Sequence, residues 1–308
     1  MGLKKFNKPP LTIEQQVSLL QCRGLSFRSK DKAKKILLSI GYYRFSGYCL
    51  PFKKPVDYQK FISDVTFEQI VELYDFDRIL RCLVLEAIEK IEVQLRAQFT
   101  YLFTVSTNDP FCYTNSRWFK DPEKHRNLLQ ELVASEGKNS LDPTVKHHRE
   151  TYKEPHPPLW LAVHLMTLGA CVHWIKSLNS RQIQDALAKS FGFFGFNPFH
   201  SFLISLIEIR NICAHHGRLW NRAFVKPTPF IKKFRSFERF FPLNSTTRSY
   251  ERLLIIACIL KTIDPEETWG NRLGYLVSFR PDWQRNCMGF PGDFMRDDIF
   301  RPINQLTN

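Results

Sequence analysis

The sequence predicts an all-α fold, and three observations carry that prediction. From Asp64 or Thr66 to about Thr104 the chain holds neither Pro nor Gly, and apolar residues return there at helical spacing. Helix signals recur elsewhere, with capping pairs at starts and glycines at ends. No segment shows a convincing run of strands, and no internal repeat or low-complexity tract interrupts the pattern.

Taken in order, Thr12 and Gln15 form a capping box after Pro9 and Pro10, opening a helix from about Ile13 to Arg23 that stops at Gly24. A second helix runs from about Lys30 to Ile40 and stops at Gly41. The stretch GYYRFSGYCLPF follows, with Tyr42, Tyr43, Phe45, Tyr48 and Phe52 interleaved with Arg44. It reads as an aromatic loop, either packed or presenting rings and a cation to RNA. Residues 53–63, with Pro55 and several lysines, read as a linker or hairpin. Thr66 and Gln69 then cap the longest helix, whose stripe is Ile70, Leu73, Phe76, Leu80, Leu83, Val84, Ile88, Ile91 and Leu95. Of its charges, most face solvent, and one or two turn inward as partners for a buried arginine.

Residues 105–157 are polar and broken by Pro110, Pro122, Pro143, Pro155 and Pro157, leaving short helices at about Glu123–Ser135 and Thr144–Tyr152. The cluster Lys146-His147-His148-Arg149 reads as a solvated face able to touch phosphate. A helix follows from about Leu159 to Leu178; its Cys171 and His173 are two apart, a poor spacing for joint metal ligation. A short helix at Arg181–Ser190 leads through the turn FGFFGFNPF to another, with Asn197 as N-cap and Pro198 first. Beyond Trp220 the chain is rich in Pro and Arg until about Ser249, where a last apolar helix covers Tyr250–Ile263. The domain reading is an N-terminal helical segment at 1–60, a helical domain at 61–265 and an irregular C-terminal tail at 266–308.

Composition narrows the function classes. The 308 residues carry a net charge of +14, which favours a polyanionic partner, nucleic acid ahead of an anionic membrane. No apolar stretch is long enough to span a bilayer. The N-terminus lacks an apolar signal core, and Phe6 stands where myristoylation after Gly2 requires Ser or Thr. The eight cysteines form no CxxC pair, so they suggest reduced thiols and give no zinc pattern. The expectation is a soluble cytoplasmic protein with no metal and no cofactor.

Potential acid–base and anion-binding chemistry concentrates in Ile204–Arg222, ISLIEIRNICAHHGRLWNR. On a helix, Phe199, Phe202, Leu203, Leu206, Ile207, Cys213 and Ala214 share an arc, and Arg210 falls near its middle. An arginine there needs an anion, because an unpaired buried charge is very costly. A carboxylate on the long helix would make it a core ion pair; a bound phosphate would make it part of a site. Asn211 and His215 share a face with Glu208 nearby, which opens the imidazole to tuning near neutrality. Arg210 and His215 point about 140° apart on one ideal helix. Bringing both to one phosphate needs a distorted helix end near Gly217, or a second copy of the chain across a two-fold axis. Arg218 and Arg222 would add to the positive field.

The pattern Arg210-Asn211-(three residues)-His215 resembles the R-x4–6-H motif of HEPN-domain ribonucleases. Five stretches extend the likeness: LTIEQQVSLLQCRGL, IGYYRFSGYCLPF, LYDFDRILRCLVLEAIEKIEVQLRA, IRNICAHHGRLWNR and MGFPGDF. In that order they resemble the Abi-like (AbiD/AbiF type) abortive-infection family of bacterial phage-defence proteins. The likeness runs from about Lys8 to Phe294, where the family favours Trp. It implies a HEPN-like helical fold, a toxin-like endoribonuclease, a homodimer that composes the site, and control by a small structured RNA. Carried over, Arg210 and His215 are catalytic, Asn211 supports them, and adjacent His216 is an alternative or auxiliary. For regulatory RNA, the candidates are Arg44 with Tyr43 and the basic stretch from Lys226 to Arg239, including Lys232, Lys233 and Arg235.

Overall fold

The computed structural model describes residue 5 and residues 8–138, 142–224, 247–296 and 298–301. Among them are thirteen α-helices and no strand, only three isolated β-bridges, so the fold is all-α. The chain divides into two compact units, Met1–Ile79 and Leu80–Asn308.

In the first unit, α1 spans Ile13–Cys22 and begins with the capping box read from the sequence. The Gln15 amide donates to Thr12 Oγ1 at 3.3 Å, and the Thr12 amide donates to Gln15 Oε1 at 2.9 Å. Helix α2 covers Lys30–Ile40 and stops at Gly41, whose φ of 80° suits glycine. The aromatic stretch expected as a loop is instead a helix, α3, at Tyr42–Cys49, continued by a 3-10 turn at Leu50–Phe52. Its buried residues Phe45, Tyr48, Cys49 and Phe52 recur at helical spacing, and that periodicity outweighs its two glycines. Phe45 stacks on Phe67 with ring centres 4.6 Å apart. Residues 53–61 form a hairpin closed by a Lys53–Phe61 bridge.

Helix α4 runs from Phe67 to Thr107, 41 residues, opening on a second reciprocal cap between Thr66 and Gln69. Its inward charges are Asp77 and Arg81, both buried. Within the first unit, Asp77 accepts the Tyr48 hydroxyl proton at 2.5 Å.

The second unit continues with α5 (Pro122–Lys138), α6 (Pro143–Thr151), α7 (Leu159–Ala162), α8 (Leu168–Ser177) and α9 (Arg181–Ser190). The single helix expected over Leu159–Leu178 breaks at Met166, whose extended backbone leads into Thr167, the N-cap of α8. Arg96 of α4 donates to the Val163 and Met166 carbonyls and pairs with Glu92, so the break leaves those carbonyls satisfied. Helix α10 spans Phe196–Ala214 and packs on α8 and α9. Its N-cap is Gly195, not the expected Asn197. Asp185 of α9 accepts the Phe196 amide at 2.7 Å, while Asn197 turns its amide oxygen to Arg181 at 2.9 Å.

Helix α11 (Ser249–Ile263) is buried on every side from Ser249 to Leu260. It is not the last helix. Where the sequence reads as irregular, α12 (Trp269–Ser278) and α13 (Asp282–Met288) follow. Glycine lowers the helical signal of α12 but makes its packing possible. A Cβ at Gly270 or Gly274 would overlap the Ile299 or Phe300 carbonyl. Arg272 of α12 pairs with Glu86 of α4, and Lys90 reaches Glu267 at 2.5 Å. Phe294 is buried against Phe290 and Phe300. None of the eight cysteines forms a disulfide, and burial pushes the thiol pKa values of Cys112 and Cys171 up to about 12. No helix of the described residues is long and apolar enough to cross a membrane.

Candidate active site at the end of α10

The buried face of α10 is Phe196, Phe199, Phe202, Leu203, Ser205, Leu206, Ile209 and Cys213. Arg210 leaves α10 between the rows of Leu203 and Leu206, yet it is only half-buried. Its guanidinium makes its hydrogen bond at an exposed position, as a long charged side chain can while its stem stays part-covered. Arg210 Nη1 donates to Asn211 Oδ1 at 3.3 Å, and Arg210 forms no ion pair among the described residues. The alternative of a core ion pair with the long helix is not formed among the described residues: Glu86 serves Arg272 and Glu92 serves Arg96.

The buried cation beneath this helix is Arg252 of α11, which the sequence reading did not single out. It is 3% exposed, donates to Ser205 Oγ at 2.9 Å and to Glu208 Oε2 at 3.3 Å, and lies 3.6 Å from the Phe224 ring centre. Burial lowers its pKa, and neighbouring Glu208 opposes that shift. Glu208, expected beside Asn211 and His215, is thus held by Arg252. Nothing local marks Arg252 in the sequence, where it is one cation inside an apolar run.

The helix ends in a Schellman motif. His215 is the C-cap; the His216 amide donates to the Cys213 carbonyl at 3.0 Å and the Gly217 amide to the Ile212 carbonyl at 2.7 Å. His216 takes the left-handed position, with φ 57°, where glycine is usual. For an L-residue that conformation costs about 1–2 kcal/mol. Gly217 sits so close that an added Cβ would lie 3.1 Å from the Ile212 carbonyl oxygen. The chain is then pinned by Leu219 and Trp220, both fully buried. Trp220 Nε1 donates to the Gln284 carbonyl at 3.1 Å, and Arg248 donates to Asn221 Oδ1 at 2.8 Å. The motif residues thus project from a rigid base.

On that base Asn211, His215 and His216 are exposed. The His215 imidazole makes no hydrogen bond among the described residues. The structure brings Arg210 to Asn211, on the face His215 shares, and among the described residues His215 has no side-chain hydrogen bond to either. Arg218 is half-buried and Arg222 exposed just beyond. In the first unit, Tyr43 is 91% exposed and Arg44 half-buried on α3. Lys232, Lys233 and Arg235 lie outside the described residues. Among those described, no three His, Cys, Asp or Glu side chains cluster as metal ligands.

In this all-α protein, Arg210 through His216 thus lie together at one strained helix end. Its family is then definite: the profile of the Abi-like protein family matches residues 35–221, and the chain belongs to that family. The matched segment runs from α2 to the buried Leu219-Trp220 anchor, includes Arg210 through His216, and implies a role in abortive-infection phage defence. Curated proteins and solved structures give no match.

Proposed function

We propose that this protein is a metal-independent endoribonuclease of the HEPN type, acting as the toxin-like arm of phage defence. The observation that carries the reading is one helix end, inside the family-matched segment, presenting a solvent-facing guanidinium and a free imidazole. In the reaction an imidazole takes the 2′-OH proton, the 2′-oxygen bonds to phosphorus, and the P–O5′ bond breaks. A second, protonated imidazole gives its proton to the leaving 5′-oxygen, leaving a 2′,3′-cyclic phosphate and a 5′-hydroxyl. Arg210 stabilises the extra charge on the phosphorane, because its planar fork matches phosphate oxygens.

One copy supplies one free imidazole, with Arg210 leaving the helix about 140° away. Two copies related by a two-fold axis supply both imidazoles and both guanidiniums to one cleft. Asn211 supports by holding the Arg210 guanidinium on the His215 side of the helix, and His216 is an auxiliary. Arg218 and Arg222 extend the basic field, and Arg44, Tyr43 and the stretch with Lys232, Lys233 and Arg235 are assigned to a small structured regulatory RNA.

The test is RNA cleavage by purified protein in excess chelator, with products separated on a denaturing gel. The reading predicts cyclic-phosphate ends from wild type and none from His215→Ala or Arg210→Ala, with RNA binding kept. Binding without cleavage by wild type, or equal cleavage by both variants, would refute it.

A further inference from the structure

At the opposite end of α10 the structure forms a pocket of about 750 Å³. Its walls come from the start of α5 and the two residues before it, the C-terminal half of α8, the first residue of α9 and the first turns of α10. Lys120, Lys124, Lys176 and Arg181 line it against two carboxylates, Asp121 and Glu131. His173 and His200 stand among them.

Two of the four cations have acid partners. Lys124 Nζ lies 3.4 Å from Asp121, and Arg181 Nε donates to Asp185 at 3.0 Å. Lys120 and Lys176 form no ion pair among the described residues; Lys120 Nζ instead donates to the Lys176 carbonyl at 3.3 Å. These cations feel one another. Burial first, then Arg181 and Lys176, lowers the pKa of Lys120. Burial first, then Lys176, His173 and Lys120, lowers that of His200. His200 Nε2 is shielded from solvent with no hydrogen-bond partner among the described residues. A bound anion relieves such repulsion, and the amide dipoles at the start of α10 add to the attraction.

The size of the pocket says more. A water molecule occupies about 30 Å³ of liquid, so inorganic phosphate would leave most of the space unfilled. Volumes of about 300–1,000 Å³ suit small organic ligands. Leu128 and Phe196 offer apolar surface beside the cations, and the Asn127 and Asn197 amides offer hydrogen bonds.

We propose that this pocket is a nucleotide-binding site, with phosphates among Lys120, Lys176 and Arg181, and the base against Leu128, Phe196 and the two amides. The site is separate from the proposed nuclease centre and does not depend on it. His200 precedes His215 by fifteen residues, about 22 Å along the helix.

The experiment is calorimetric titration of the full-length protein with ATP, tripolyphosphate and a short single-stranded RNA. The expected result is one ATP per chain, with tripolyphosphate and the Lys120→Gln/Lys176→Gln double variant each about tenfold weaker or more. Both lysines are exposed, so the variant keeps the wild-type melting temperature. Arg210→Ala binds ATP normally, and bound ATP raises the His200 pKa in an NMR titration. The proposal is overturned if no ATP heat appears, if tripolyphosphate binds as tightly as ATP, or if the double variant keeps ATP affinity. It is also overturned if that variant loses RNA binding but keeps ATP, which would give the cations to an RNA backbone.

Discussion

The two ends of α10 treat cationic side chains in opposite ways. At the N-terminal end several elements converge on a concave pocket, where burial first and then neighbouring cations lower the pKa values of Lys120 and His200. At the C-terminal end one helix turn and the residues after it present Arg210, Asn211 and His215 outward, with a single 3.3 Å hydrogen bond among their side chains. Between them Arg252 is clamped by Ser205 and Glu208. A binding site can be finished within one chain because walls supply its affinity. A set of reacting groups on an open surface stays incomplete until something closes over it. On the proposed function, the C-terminal end is therefore half a site.

The largest expected effect breaks that half. His215→Ala should lower the RNA cleavage rate by about 10²–10⁴-fold, the usual worth of a positioned acid or base, with RNA affinity unchanged. Rates from a cleavage time course and affinities from a filter-binding curve check this together. Next comes Arg252, whose buried head bonds Ser205 and the part-exposed Glu208; hydrogen bonds of a charged group contribute about 1.5–3 kcal/mol. Arg252→Ala should therefore depress the denaturant midpoint severely, whereas Arg210→Ala should stay within about 1 kcal/mol of wild type because its head is in solvent. Equal losses from both would remove the distinction between a braced cation and a functional one.

Smaller effects sharpen the picture. His216→Gly should stabilise the protein by up to about 1 kcal/mol, since glycine adopts the left-handed position without strain. If it also slows cleavage, the strain serves the site; thermal melts and a cleavage assay report both. The smallest effect belongs to the other end. His200 has its pKa lowered in the fold, so the unfolded chain binds protons more readily than the folded one as pH falls through about 6.5. Stability should therefore be full above that pH and decline below it. The His200→Gln variant should flatten the decline in midpoints measured across the acid range.

Local chemistry made much of the fold legible in the sequence. The two capping boxes, the stop at Gly41 and the stripe of α4 all depend on neighbours within one or two turns. What was not legible depends on distant partners. The break before α8 has its carbonyls satisfied by Arg96, some seventy residues earlier in the chain. Helix α12 tolerates glycines because residues 299–300 press on them, and α10 takes its first cap from Asp185 rather than Asn197. The site divides the same way. Arg210, Asn211 and His215 stood out because six consecutive residues contain them. Arg252 and the pocket around Lys120 and Lys176 did not, because their partners are scattered along the chain. Position on an ideal helix also places the Arg210 Cβ in the core-facing arc, but a side chain this long carries its charged end elsewhere.

The central claim is that one copy carries half a nuclease. It is tested most directly by purifying, from two differently tagged copies, the heterodimer of a wild-type chain and a chain with both Arg210→Ala and His215→Ala. A site composed from both copies predicts that this heterodimer cleaves RNA at less than about a tenth of the wild-type rate, although one chain is intact. Retention of about half the wild-type rate, as independent sites would give, would contradict the account.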